Sequence, residues 1–231
     1  MKIGIIGAMD VEVARLKDRL EDLSVSVVAG STFCEGAIDG TPAVIVKCGV
    51  GKVDAAVCVQ VLVDLFGVEA VVNTGVAGSL DNRLDIGDVL VSADAVHHDV
   101  DVTNLGYAPG EVPGLGTTYF PADERLRKAA VDAVAAVAPE IACVEGRVAS
   151  GDQFVRSQGE KRRIRDTFGA SCAEMEGASI AQAAWMNHVP FVVVRAISDK
   201  ADGSSQMEYP TFEAAAAEHC AKIVEYMVAH L

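Results

Sequence analysis

Hydrophobic positions along the chain fall into two rhythms, short near-continuous apolar runs and longer stretches with a helical period. The run Lys2–Gly7 closes on a glycine, and Val13, Leu16, Leu20 and Leu23 follow at helical intervals. That pattern predicts a buried first strand and a helix over Val11–Leu23. Val25–Ile38 and Thr41–Cys48 read as two strands joined by Asp39-Gly40, a dipeptide suited to a tight hairpin turn. Lys52–Phe66 predicts a helix, Glu69–Thr74 a short buried strand ending at Gly75, and Asp88–His97 a further strand. In the second half the rhythm predicts helices over Ala122–Ala138, Gly159–Thr167, Gly177–Asn187 and Phe212–His230. Strands are expected at Val144–Ser150 and Val189–Ile197.

Strands alternating with helices, and an early hairpin, indicate an α/β fold with a mixed central sheet covered by helices on both faces. Neither a Ser/Pro-rich linker nor an internal repeat divides the chain, so residues 1–231 are expected to form one domain. The segment Asp99–Pro121 carries four glycines and three prolines with little periodicity, which suits a lid, a binding loop or an interface. The apolar start is too short for a signal sequence, and no 18-residue apolar window suggests a membrane span.

Charge narrows the range of partners. A formal net charge of −14 opposes nucleic acid and other polyphosphates. The dense basic run Lys161-Arg162-Arg163-Ile164-Arg165 reads as a solvated helix face. The 6 cysteines are scattered without a CxxC pair, which fits a reducing cytoplasm rather than a disulfide framework or a zinc site. His97 and His98 are adjacent on a strand and point to opposite faces, a poor chelate, so no metal is expected.

Five places carry candidate chemistry. Gly4 and Gly7 lack the third glycine of a dinucleotide fingerprint, leaving Asp10 and Glu12 in the first turn of a helix, as dipole partners or as functional acids. Asn73–Ser79 (NTGVAGS) reads as a strand end whose small residues let main-chain N–H groups face a ligand. Without a nearby basic residue it suits a sugar or water better than phosphate. Phe154 and Val155 follow a strand end, where an aromatic face and a main-chain edge could meet a purine, although Phe154 would equally serve as core. Glu174 and Glu176 flank Met175 at a helix start, as caps or as acceptors for ribose hydroxyls. Finally, the buried strand Val192–Asp199 delivers Arg195, Ser198 and Asp199 toward its carboxyl end, where ligands gather in α/β sheets. A buried Arg195 requires a carboxylate, and Glu174 or Glu176 is the natural partner.

Taken in order, GIIGAMDVEV, CGVGKVDAA, NTGVAGS, HHDVDVTNLGY, SGDQFV, AEMEGASIA and FVVVRAISDKAD resemble the 5′-methylthioadenosine/S-adenosylhomocysteine nucleosidases of the purine nucleoside phosphorylase superfamily. The resemblance implies a three-layer α/β/α fold, a homodimer, a small nucleoside as substrate and no cofactor. It implies adenine held by the Val155 main chain and stacked on Phe154, with Asp199 facing N7 as general acid and Ser198 orienting it. Glu12, as general base, and Arg195 would surround the attacking water. Glu176 would bind the ribose hydroxyls, with Met175 under the sugar and Gly78 beside it. Met9, Val50, Leu105, Tyr107, Pro113 and Tyr209 would form the apolar 5′-thioalkyl pocket, some of them supplied by a partner subunit. Val76 stands where many members carry serine, and Leu105 where an aromatic is common. A phosphorylase of the same fold, a futalosine-directed hydrolase and a nucleoside-binding protein remain alternatives, although acids in GAMDVEV disfavour a phosphate nucleophile.

Overall fold

The computed structural model describes residues 1–200 and 209–231, the side chains of 209–211 excepted. Strand β1 (Ile3–Gly7) runs down the middle, parallel to β4 (Thr41–Lys47) on one side and to β5 (Ala70–Ser79) on the other. Both its faces are covered, which is why it reads as a continuous apolar run. Its glycines serve packing. A Cβ on Gly4 would lie 3.0 Å from Leu62 Cδ1, and one on Gly7 would lie 2.7 Å from Val13 Cγ1.

Helix α1 (Asp10–Asp18) is shorter than its hydrophobic spacing suggested. From Glu21 onward Leu23, Val25 and Val27 alternate with polar residues, and this period of two wins: they form the exposed edge strand β2 (Glu21–Val28). The expected single strand Val25–Ile38 is in fact β2 and β3 (Ser31–Ile38), folded back at Ala29-Gly30. Ala29 (φ 50°) and Gly30 (φ 81°) adopt the same left-handed pair as Asp39 (φ 46°) and Gly40 (φ 82°), which join β3 to β4 as anticipated. Alanine is a weak turn signal, so only the second turn was visible.

The remaining strands are β6 (Val89–His97), β7 (Phe120–Pro121), β8 (Cys143–Ser150), β9 (Cys172–Glu174) and β10 (Phe191–Asp199). From the β2 edge inward the order is β2-β3-β4-β1-β5, after which the sheet closes on itself. β10 pairs with β5 and β6, β6 with β8, β8 with β9, and β9 returns to β5. Short β9 escaped the sequence reading because three residues carry no period.

Helices α1, α3 (Glu124–Val137) and α6 (Tyr209–Ala229) cover one face, packing Val13, Leu126 and Val224 against Ile3, Ile5 and Val72. Helices α2 (Lys52–Phe66) and α5 (Gly177–Met186) cover the other, with Val59, Leu62 and Ile180 against Ile6, Val44 and Val71. Helix α4 (Gln158–Phe168) closes a smaller cluster with Ile164 and Phe168 on Val96 and Ala149. Each fully buried aliphatic side chain contributes about 1.5–3 kcal/mol, so both layers are held firmly against the sheet.

One departure bears directly on function. The NTGVAGS segment is part of β5, which runs on to Ser79 instead of turning at Gly75. β10 pairs beside it from Phe191↔Val71 to Ile197↔Ala77, and a register shift around Ser198 then sets Asp199 opposite Gly78. The glycines are points of close approach within a strand.

Candidate active site

A cavity of about 400 Å³ opens where β1, β5, β9 and β10 end. It is lined by Met9, Glu12, Val50, Gly78, Phe154, Val155, Glu174, Met175, Glu176, Ser198 and Asp199, eleven residues singled out from sequence that come from seven separated segments.

Glu12 is buried (1% exposed) although it belongs to a short surface helix. Its carboxylate turns back on the helix start, where Oε2 accepts from the Ala8 N–H at 2.7 Å and the Met9 N–H at 3.0 Å. Oε1 accepts from the Val76 N–H at 3.1 Å. Burial pushes the Glu12 pKa up, against the pull of Arg195 and these N–H donors.

Arg195 lies behind the cavity wall, 1% exposed, and does not line the cavity itself. Nη1 donates to the Thr74 carbonyl at 3.0 Å, and Nη2 to Asn73 Oδ1 at 2.7 Å and to the Glu174 carboxylate. Glu176 Oε2 is 3.7 Å from the same nitrogen. Burial opposes the Arg195 charge, but Glu174, Glu176 and Glu12 outweigh it and hold its pKa above the ordinary value. Gly75 makes this crossing possible, since a Cβ there would sit 2.5 Å from Glu12 Oε1 and collide with Arg195 Nη1.

Glu174 therefore anchors Arg195, as its type and position suggested, and has further work. It accepts from Ser150 Oγ and from the N–H groups of Glu176 (3.1 Å) and Gly177 (2.8 Å), capping α5. Glu176 accepts from the Gly51 N–H at 2.9 Å and turns its carboxylate to the cavity. Burial first, then the neighbouring Glu174 charge, raise its pKa from 4.5 to about 7. Three buried carboxylates thus share one guanidinium, an arrangement suited to hydroxyl donors or a developing cation and hostile to an anion.

At the other end stands Asp199. The missing side chain of Gly78 leaves room for it, a Cβ there lying 2.9 Å from Asp199 Oδ1. Ser198 Oγ donates to the Ala77 carbonyl at 3.3 Å, which pins the bulge that turns Asp199 inward. Asp199 Oδ2 accepts from Lys161 Nζ at 2.6 Å. Lys161 is 5% exposed, so the expectation of a fully solvated basic face fails at its first residue. Lys161, Ile164 and Phe168 form one buried stripe at helical spacing, a signal that the run of charges obscured. Gln153, Arg156 and Glu213 also line the cavity and were not singled out.

Phe154 is half exposed at the mouth instead of buried in core, with the Arg156 guanidinium 5.4 Å from its ring centroid. Leu105, Tyr107 and Pro113 are exposed and do not line the cavity of this chain. The side chain of Tyr209 lies outside the described residues.

The geometry agrees with the relatives. Residues 2–229 match the phosphorylase superfamily. A 5′-methylthioadenosine/S-adenosylhomocysteine nucleosidase of Geobacillus kaustophilus is 44% identical over 229 residues, covering 99% of this chain and 97% of the relative. The crystal structure of a nucleosidase of the same name from Colwellia psychrerythraea, in complex with adenine, superposes with a TM-score of 0.94 at 39% identity. That match covers 100% of this chain and 96% of the other. A futalosine hydrolase of Helicobacter pylori superposes with a TM-score of 0.93 at 34% identity, covering 100% of this chain and 98% of the other. The order of its motifs, its fold and its full-length relatives agree: the chain belongs to the phosphorylase superfamily, within its 5′-methylthioadenosine/S-adenosylhomocysteine nucleosidases.

Proposed function

We propose that this protein hydrolyses the N-ribosidic bond of 5′-methylthioadenosine and S-adenosylhomocysteine, releasing adenine and the thioribose. The observation that carries the reading is that Glu12 and Asp199, 187 residues apart in sequence, line the same purine-sized cavity. Gly75 beside Glu12 and Gly78 beside Asp199 are three residues apart along β5, roughly 10 Å. That span accommodates an anomeric carbon with water on one side and a purine on the other.

Adenine leaves poorly as an anion. Asp199 gives its proton to N7 while the C1′–N9 electron pair moves into the ring, so the base departs neutral. As that bond stretches, C1′ gains oxocarbenium character, which ionised Glu12 stabilises. Glu12 then takes a proton from water as its oxygen bonds to C1′. Glu176 accepts hydrogen bonds from the ribose hydroxyls, Met175 packs under the sugar and Phe154 stacks on the base. Arg195 acts from behind the wall, holding Glu174 and, through it, the start of α5. The cluster of Glu12, Glu174 and Glu176 would repel a phosphate dianion, which supports water as nucleophile.

A second copy of the chain would complete the 5′ end of the pocket. Val50 on the rim is exposed, as are Val53 and Val57 one and two turns along α2, and as are Leu105 and Tyr107. Apolar exposure of this kind supports a homodimer in which Leu105, Tyr107 and Pro113 of one subunit face the cavity of the other. We also infer that residues 1–231 act as one domain, since a continuous sheet links β2 to β10. The free cysteines support a cytoplasmic setting, and no described helix is long and apolar enough to cross a membrane.

The test is release of the free purine base, adenine from methylthioadenosine and S-adenosylhomocysteine and hypoxanthine from futalosine, in phosphate-free buffer, followed by ultraviolet absorbance. Release from the first two without phosphate is expected. Dependence on phosphate, with 5-methylthioribose-1-phosphate as product from methylthioadenosine, would make the protein a phosphorylase, and exclusive turnover of futalosine would move the substrate assignment.

A further inference from the structure

The basic run on α4 is split by the fold. Arg162, Arg163 and Arg165 face solvent, while Lys161 occupies the buried stripe with Ile164 and Phe168. Its ammonium reaches the cavity wall, donating to Asp199 Oδ2 at 2.6 Å and to the Lys200 carbonyl at 2.6 Å. A lysine buried there loses hydration and rotamer freedom, and Leu or Met would fill the stripe at lower cost. The compensation visible in its contacts is the carboxylate of Asp199 and one carbonyl at the same strand end.

We propose that Lys161 is a positioning residue for the proton donor, holding Asp199 by one oxygen and stabilising the charge that develops on it. This rests on Asp199 being the general acid. In the reacting step the Asp199 O–H bond breaks, N7–H forms and the C1′–N9 pair moves into the purine. Asp199 is left as a carboxylate, and Lys161 keeps its proton throughout. In the reactive complex Asp199 has taken up a proton at the expense of its ion pair with Lys161, and the ammonium faces a neutral carboxyl group; as the proton leaves, the ion pair re-forms. Relative to that protonated complex the interaction strengthens toward the transition state, the condition for raising kcat instead of merely tightening binding. The pair itself is largely buried, with side-chain exposures of 6% for Lys161 and 18% for Asp199, where such charges count more than at the surface. The geometry also selects the reacting oxygen. With Oδ2 tied to Lys161, Oδ1 is the oxygen left to meet the base.

The experiment compares Lys161→Met, Lys161→Ala and Lys161→Arg with Asp199→Asn on two substrates. One is methylthioadenosine. The other is 4-nitrophenyl 5-methylthioriboside, whose leaving group departs as a stable anion and needs no protonation at N7. On methylthioadenosine, Lys161→Met is expected to lower kcat about 10²-fold with KM within about threefold of wild type. On the nitrophenyl substrate its rate stays within about threefold. Lys161→Arg keeps kcat within about tenfold, because charge and reach survive, and added methylamine restores turnover of Lys161→Ala saturably. Melting temperature and adenine affinity report on folding, and the Arg variant carries the comparison if Met is not accommodated. Wild-type kcat in Lys161→Met, or equal slowing on both substrates without amine rescue, overturns the inference while leaving the acid intact. Unchanged methylthioadenosine turnover in Asp199→Asn overturns the acid assignment itself.

Discussion

The role proposed for Glu176 sets substrate binding against stability, and the conflict is measurable. Its carboxylate is buried beside Glu174, and its pKa rises from 4.5 to about 7. In the unfolded chain the group ionises near the ordinary value. Between pH 4.5 and 7 the folded state therefore holds the proton that the unfolded state has lost, and stability falls as pH rises through that window. Above pH 7 the full shift corresponds to about 3 kcal/mol. Glu176→Gln removes this penalty. It keeps an oxygen to accept the Gly51 N–H but turns an amide NH₂ toward Arg195, which returns about 1 kcal/mol of the gain. The variant should thus be more stable than wild type by about 2 kcal/mol at pH 8, or about 4–8 °C in Tm for a chain of this length, and less stable than it by up to about 1 kcal/mol at pH 4.5, where only the amide's cost remains. Its kcat/KM should meanwhile fall about 10²-fold or more, because charge-assisted hydrogen bonds to the two ribose hydroxyls are lost. The assay is thermal and urea unfolding of the ligand-free protein at both pH values, at one protein concentration, alongside steady-state kinetics. An equal stability difference at pH 4.5 and 8, or a variant less stable at pH 8, would refute the claim that Glu176 is held against its charge.

Glu12→Gln should retain adenine binding, measured by calorimetry, while single-turnover adenine release slows by about 10²–10⁴-fold. Because burial raises the Glu12 pKa and the ionised form is the proposed base, kcat/KM should fall on the acid side at a pH above the ordinary range for glutamate. An acid limb at or below that range contradicts the role. Gly75→Ala puts a methyl group against Glu12 Oε1 and Arg195 Nη1 and should destabilise the protein by several kcal/mol. Wild-type Tm and turnover in this variant would show that the crossing beneath β5 is looser than described. Replacing Leu105 and Tyr107 by Ser should shift the protein toward monomer in sedimentation and raise KM for methylthioadenosine more than it lowers kcat. An unchanged sedimentation coefficient and KM would remove these side chains from both interface and pocket.

What the sequence made legible, and what it hid, follows from the range over which each signal acts. Helix α2 was readable to the residue because Lys52–Phe66 lies between Gly51 and Gly67, whose left-handed C-cap conformation stops it. Leu23 was misassigned because one residue satisfies a helical and a strand period equally well. Only the run of Val25 and Val27 beyond it, paired in β2, decides between them. NTGVAGS read locally predicts a turn, because glycine is ordinarily a breaker. In β5 its glycines answer to distant side chains, Arg195 and Glu12 at Gly75 and Asp199 at Gly78, which no local window contains. The carboxylates of the site could be found because acids at a strand end or a helix start are conspicuous against apolar surroundings. Lys161 was harder for the opposite reason, since a cation among four basic residues looks like surface. The spacing of Lys161, Ile164 and Phe168 nevertheless puts the lysine on the apolar stripe, and that conflict between residue type and position was itself a signal. A charged residue on a stripe that must be buried requires a counter-charge from elsewhere in the fold. In an acidic protein with its ligand cavity at the strand ends, the available counter-charge was Asp199.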